Sequence, residues 1–499
     1  MKYIGNDPEI LKQFIRASAS GDIAEGDTCI IEADGDIAAV LQTVQTEAVA
    51  SQVVFDNNES GELFTVIKDP TEDKIAILYQ HDDGFQSNDN DKYIAFASVS
   101  GTTITVGTPI SFATQNTEYN YADAEYTDDG TILYCRRVDG GVGSILKAMV
   151  ITPNYTANTV STGTEVTVSS TSTNLQQGGA LSKGTSGKFV TYYTYSPGSG
   201  FKARVLTVSG TSVSVGSEIS VTSASVDYFN AAYDTDNDKH IVAYKDYDNS
   251  NYPTVLVGTL SGTSVSYGTA VVVDTVNAFG QRMYADLLYV PSLGKLAYSF
   301  YVNNIAQVYI GEVSGTSTTG WTGSSVGEYS IQQVTVYDEN ALKFVVAYYL
   351  NSPSGYYVKT GTISGSTITF GDRFSLGFSL IPIQEGGGAV YDSESQKVVF
   401  VNSRTNNTTP MYPSAVVYST GFEQTNLTAE NYIGVSDEAV SDGDQALVKA
   451  KGAISTKQSS LTAGSGYYVQ NDGTLATTAD DPSVFAGTAV SSTQLIVKG

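Results

Sequence analysis

Tyrosine is the commonest side chain here that could recognise a ligand, at 34 of 499 positions against 18 Phe and one Trp. Six residues carry the expectation of a binding surface: Tyr195, Tyr228, Tyr247, Tyr252, Arg282 and Tyr356. They stand among Ser, Gly and Asn. A tyrosine brings a rigid plane to stack on and a hydroxyl to orient, at small entropic cost, while Ser, Gly and Asn supply adaptable hydrogen bonds. Arg282 adds a planar cation that suits carboxylates and stacked rings. This chemistry is recognition. For any one tyrosine the competing role is packing, because most aromatic area in a protein serves the core.

Bond-breaking chemistry is poorly supplied. His81 and His240 are the only histidines, and they fall in different parts of the repeat pattern described below, so no zinc site or His-based triad is expected. Asp234-x-Asp236-x-Asp238 has the spacing of the first ligands of a calcium loop, but the glycine and distal glutamate are missing and Lys239 follows. Equivalent turns at 338–343 and 392–397 look like plain polar hairpins, and this one is read the same way. With 52 acidic residues, carboxylate pairs are guaranteed and none is singled out. The lone Trp321 argues against a polysaccharide-cleaving groove, and no G-x-S-x-G, phosphate loop or dinucleotide fingerprint is present. The expectation is no catalytic residue, no metal and no cofactor.

A formal net charge of −26 disfavours nucleic acid and anionic membrane as partners. No run of 18 apolar residues is long enough to span a bilayer, and the first residues lack the apolar core of a secretion signal. Cys29 and Cys135 lie far apart in the pattern and read as small buried apolar groups rather than a disulfide.

The loops that carry the tyrosines are set by a repeat. A polar turn, an anchor residue and an apolar strand with an aromatic five residues on recur at Lys74, Asp129, Lys188, Lys239, Lys295, Lys343 and Lys397, 48 to 59 residues apart; the last copy ends on Asn402 instead. The fullest copy reads as strand A (227–234), turn, strand B (239–244), polar loop, strand C (253–260), a Ser-Gly turn, and strand D (265–274). A glycine recurs six residues past the glycine of the C–D turn, at Gly107, Gly216, Gly268 and Gly371. Four short antiparallel strands per unit describe a propeller blade. The last unit, 388–419, lacks its fourth strand, and residues 48–56 resemble one. Pairing of the two would close a ring and remove a sheet edge. The short A–B and C–D turns would share one face. The variable B–C loops (81–91, 136–143, 195–200, 245–252, 351–357, 403–412) and the D–A loops would form the other, where recognition is expected.

Outside 48–422 the chain ends resemble each other. Residues 461–476 align without a gap on 23–38, each a strand, an Asp-Gly turn and a strand. The expected fold is therefore all-β: a seven-bladed β-propeller over 48–422, inserted into a small β-sandwich or barrel-like domain made of 16–47 and 423–499. Residues 1–15 are expected to be a helical segment, with Asp7 and Pro8 opening a helical pattern that runs on to Arg16.

The recurring Val-Ser-Gly-Thr-Ser-Val-Ser-x-Gly units, the Ala-Ala-Tyr-Asp and Val-Ala-Tyr strands, and the stretch from Asn426 through 467–475 to 485–490 together cover most of the chain. They resemble virion proteins of tailed bacteriophages, especially the tail-fibre proteins of marine cyanophages. The resemblance implies a structural virion protein, a tail fibre or receptor-binding protein recognising a host surface glycan or protein, with location in the virion. It implies attachment to other virion proteins through the terminal β domain. Association with copies of itself is a further expected partnership, and membrane insertion is not expected. A capsid decoration or tail-hub subunit is one alternative, and a polysaccharide-degrading propeller enzyme another. The resemblance carries over no catalytic residue.

Overall fold

The computed structural model describes residues 13–57, 61–81, 91–113, 122–139, 144–169, 180–195, 200–275, 286–303, 305–329, 331–377, 387–402 and 412–498. These residues are all-β, with no α-helix among them. The chain divides into two compact units, Glu47–Thr420 and the pair Met1–Thr46 with Gly421–Gly499.

Within Glu47–Thr420 each repeat folds into one antiparallel sheet, and among the described residues seven such sheets follow one another. The fourth shows why. Val226–Asp234, Lys239–Asp246 and Tyr252–Ser261 pair in sequence, and the outer edge is supplied by Ser264–Tyr267 and Val271–Val272. The A–B turn is fastened by Asp234. Its Oδ1 accepts the N–H groups of Asp236 and Asn237, both at 3.0 Å, and its Oδ2 accepts Asn237 Nδ2 at 2.8 Å. Both oxygens serve the turn, which is how a buried Asp stabilises a hairpin.

Alternating side chains of each sheet point to its two faces, and both faces are buried. The aromatic that recurs after the anchor lies in the core: Tyr79, Tyr134, Tyr193, Tyr244, Phe300 and Tyr348 are all buried. Each sheet shares one apolar core with the next, as where Ala76, Leu78 and Ile94 of the first meet Ala124, Tyr126 and Ile132 of the second. The seventh shares its second face with the first: Val399, Val401, Ala415 and Val417 pack with Ile75, Ile77 and Ala95. The residues 48–56 pair where the sequence places them. Ala48 and Val49 pair with Ser419 and Tyr418, and Val53 and Val54 with Ala415 and Ser414.

The fourth strand is split in two in several sheets, and the recurring glycine sits at the break. An added Cβ at Gly163 would lie 1.9 Å from the Thr211 carbonyl oxygen, and one at Gly268 would lie 1.7 Å from that of Thr316. Both carbonyls belong to the C–D turn of the following sheet. The glycine leaves room for the neighbouring turn. Polar links also join successive sheets. Asp123 Oδ2 accepts the Leu181 N–H at 2.8 Å, and Asp286 Oδ2 accepts the Thr335 N–H at 2.7 Å.

The terminal unit holds two five-stranded sheets of the same strand order. Thr28–Ile31 and Ile37–Ala39 form the hairpin of one; Gly466–Val469 and Leu475–Ala476 form the hairpin of the other. One core holds Ile30, Tyr432 and Val435 of the first with Tyr467, Ala486 and Leu495 of the second. The helix expected over 8–16 needs correction at its end, its first residues lying outside the described ones. Phe14–Ser18 is a strand whose residues pair with Lys449 back to Gln445. Ladder pairing outweighs a local helical pattern too short to be stable alone.

Candidate functional site

At the loop end of the fourth sheet, strands A and B place four polar and aromatic side chains together. Asp227 and Lys245 are cross-strand partners, and the register slips between Asp227 and Asn230. The slip is a bulge, and Tyr228 inside it takes φ of 51°. A tyrosine in the left-handed region is strained, and such strain is retained where surrounding contacts over-determine it. The Tyr228 N–H donates to Asp227 Oδ1 at 3.0 Å, and the Tyr247 hydroxyl donates to Asp227 Oδ2 at 3.1 Å. Lys245 Nζ lies 4.8 Å from the Tyr247 ring centre and 5.6 Å from that of Tyr228, a cation over two aromatic faces.

The loop from 246 to 252 is pinned around this cluster. Tyr247 N–H donates to Ser225 O at 2.9 Å, Ser225 N–H to Asp248 Oδ2 at 3.0 Å, and Tyr252 N–H to Asn249 O at 3.0 Å. Lys245 and Asp227 are each 7% exposed, whereas Tyr247 is 39% exposed. The charges are therefore sheltered and one ring is offered to solvent. Burial pulls the Lys245 amine below the ordinary lysine value, with Asp227 opposing. Burial raises the Asp227 carboxyl, and hydrogen bonds from Tyr228 and Tyr247, with Lys245, oppose the rise. Burial pushes the Tyr247 hydroxyl up to about 12, with the Asp227 charge adding to it. The cluster can present a sheltered ammonium and an aromatic face to an anionic, ring-bearing ligand.

Of the six residues expected at a binding surface, the structure brings Tyr228 and Tyr247 together, and Tyr252 closes the same loop opposite Asp246. Tyr195 lies elsewhere, in a cluster of its own: its hydroxyl meets Glu218, its ring packs edge-on to Tyr193 at 5.8 Å, and Arg204 Nε donates to the Tyr193 hydroxyl at 3.0 Å. Tyr356 corrects the expectation. It is 4% exposed and packs on Tyr349, with ring centres 5.3 Å apart, because it alternates inward along its strand. Arg282 lies outside the described residues, as do most of the 81–91, 195–200 and 403–412 loops. Asp227 and Lys245 were missed by sequence reasoning. Their signal is positional: each adjoins or nearly adjoins a loop tyrosine at a strand end.

His240 serves the core. Its Nδ1 lies 2.8 Å from Ser182 Oγ, and burial lowers its pKa to about 4. No group of three or more His, Cys, Asp or Glu among the described residues could hold a metal ion.

No family profile matches the chain. No curated protein matches it. Solved structures do. A Lactobacillus plantarum protein is similar at 11% identity, over 69% of this chain and 99% of its own, with a TM-score of 0.47. The Dos1 propeller is similar at 9% identity, over 75% and 95%, with a TM-score of 0.43. The β-propeller domain of the Trilobed protease from Pyrococcus furiosus is similar at 10% identity, over 75% and 100%, with a TM-score of 0.41.

Proposed function

We propose that Glu47–Thr420 is a seven-bladed β-propeller used as a recognition platform, and that the terminal unit is a small sandwich-like domain used for attachment. In this reading the protein is a tail-fibre or receptor-binding component of a tailed-phage virion, without catalytic activity, and it recognises an acidic glycan or an acidic protein segment on a host surface. The observation that carries the recognition role is the Lys245 ammonium held over Tyr228 and Tyr247 at a strained bulge, with Tyr247 open to solvent. Such an arrangement costs stability, and a purely structural strand end has no need of it.

An array of neutral, sialylated, uronic and sulfated glycans, probed with the full chain, tests the reading. Binding confined to acidic members and lost in Lys245→Ala and Tyr247→Ala supports it. Binding that survives both substitutions, or is absent from every acidic member, removes it. The packing roles of Tyr195 and Tyr356 favour a second reading, a capsid decoration or tail-hub subunit whose loops contact only protein. Absence of glycan binding together with retention on particles would support that reading. Release of reducing ends from polysaccharide would instead support the depolymerase.

A further inference from the structure

The two terminal sheets are copies of one unit, and their equivalences are residue by residue. Cys29 pairs with Gly434 and Ile30 with Tyr432 across a bulge; Tyr467 pairs with Gly487 and Tyr468 with Phe485 across the same bulge. Val435 pairs with Lys449 as Thr488 pairs with Ile496, and Phe14 with Lys449 as Ile454 with Ile496. Gly434 and Gly487 are alike in detail: an added Cβ would lie 2.0 Å from the Lys449 carbonyl oxygen in one and 2.1 Å from that of Ile496 in the other.

The copies do not bury the same face against each other. In the first sheet Ile30, Tyr432 and Val435 enter the shared core, while Cys29 and Val448 belong to a separate core. In the second sheet the counterparts of Cys29 and Val448, which are Tyr467 and Leu495, enter the shared core. The two units therefore stack front to back. Among the described residues of this unit, a front-to-back pair leaves one face without a neighbour. Here it carries Tyr468, Phe485, Ile496 and Ile454, the counterparts of Ile30, Tyr432, Lys449 and Phe14. Phe485 is 37% exposed, Ile454 is 47% exposed, and the Tyr468 and Phe485 rings meet edge-on at 5.3 Å.

In the first sheet this face is covered by another copy of the same unit, which points to what covers it in the second. We propose that the face is closed by the same face of a second copy of this chain, related by a two-fold axis. A continued head-to-tail stack is disfavoured, because the contacts between the halves could not be repeated. Thr28 Oγ1 donates to Gly473 O at 2.8 Å, Gln458 Nε2 donates to Gly26 O at 2.8 Å, and Lys457 pairs with Glu25. The counterparts of Thr28, Lys457 and Glu25 are Gly466, Ala17 and Ala463, which cannot make them. The positions named on the open face carry no carboxylate or amine. Two chains of net charge −26 repel at a distance, so a self-contact must avoid further charge. A face with its own apolar complement meets that need, and a two-fold contact is self-complementary by construction. The inference does not depend on what the loop face of the other unit recognises.

Sedimentation velocity of the full chain should show a species of twice the chain mass. The double substitution Phe485→Glu and Ile454→Glu should weaken self-association by about 100-fold and leave a folded monomer, since both side chains face solvent within the chain. A nitroxide on Thr488→Cys, on the central strand of the face, should report a short distance between copies; Cys29 and Cys135 are both buried and would not compete for the label. A wild-type monomer at every concentration, a trimer, a dimer that survives the double substitution, or a labelled dimer without the short distance would each overturn the proposal.

Discussion

Lys68 Nζ lies 2.6 Å from Asp392 Oδ1 and 2.7 Å from Asp73 Oδ1. The first contact ties the first sheet to the seventh, across the junction that chain connectivity leaves to the 48–56 pairing. Asp392 is buried, and Lys68 and Ser395 together hold its carboxyl below the usual range against the effect of burial. The Lys68 amine is held above its usual value by its two acidic partners, again against burial. Removing one member of a buried pair strands the other, at a cost of about 2–4 kcal/mol. Lys68→Met should lower the stability of Glu47–Thr420 by that amount in urea titrations at neutral pH. A depressed carboxyl gives stability that is present above its unfolded value and lost as pH falls. The difference between Lys68→Met and wild type should therefore shrink in acid.

The second tie across the same junction is apolar. Val53 pairs with Ala415 and packs in the core shared by the first and seventh sheets. Val53→Asp would bury a charge without a partner there, and about 2–3 kcal/mol should be lost. Limited proteolysis should then cut first near the 48–56 segment. An unchanged cleavage pattern and melting curve would mean that the ring is held without this strand.

Much of this closure was legible in the sequence, because a missing strand at one end and a surplus strand at the other leave a single way to pair. The aromatic five residues after six of the seven anchors and the Asp-Gly hairpins were equally legible, since short-range pattern determines them. The end of the helix expected over 8–16 is a strand instead, because Phe14 to Arg16 answer to Lys449, Val448 and Leu447, more than 400 residues away. Gly107 and Gly268 could be seen to recur, but not why, since the side-chain amide or backbone carbonyl that crowds each one comes from the following sheet. Tyr228 and Tyr247 were named for their loop positions; the ammonium that joins them depends on a bulge that no spacing rule shows.

Asp123 and Asp286 make stability depend on pH in the opposite sense to Asp392. Burial pushes Asp123 up to about 6 and Asp286 up to about 7, each opposed by the N–H of the next sheet. Glu125 is pushed up to about 8 by burial and by Asp123. A carboxyl raised in the folded state gives stability that is complete below its unfolded value near 4 and is lost as pH rises through the folded value. Wild type should therefore gain stability from these groups between pH 8 and pH 5. Asp286→Asn keeps an oxygen for the Thr335 N–H, and it should stabilise by about 1–2 kcal/mol at pH 8 and be neutral near pH 4. Thermal melts of the variant at the two pH values decide it, and equal shifts at both would refute the assignment.

Lys245 and Tyr228 can be separated by experiment, because one supplies charge and the other shape. Lys245→Met keeps the stem over the two rings and removes the ammonium. It should weaken an acidic ligand about tenfold, the equivalent of 1.4 kcal/mol, and flatten the salt dependence of binding. Because burial lowers the Lys245 amine, wild-type affinity should fall as pH rises into the alkaline range, earlier than for an exposed lysine, and the methionine variant should show no such fall. Tyr228→Gly relaxes a backbone held at φ of 51° and deletes one of the two faces. It should leave stability within about 1 kcal/mol of wild type, as relief of strain offsets lost packing. Affinity should nonetheless drop, because Lys245 loses the ring that holds it in place. If Tyr228→Gly bound as well as wild type while Lys245→Met did not, the ammonium alone would be the recognition element and the bulge merely a strand ending.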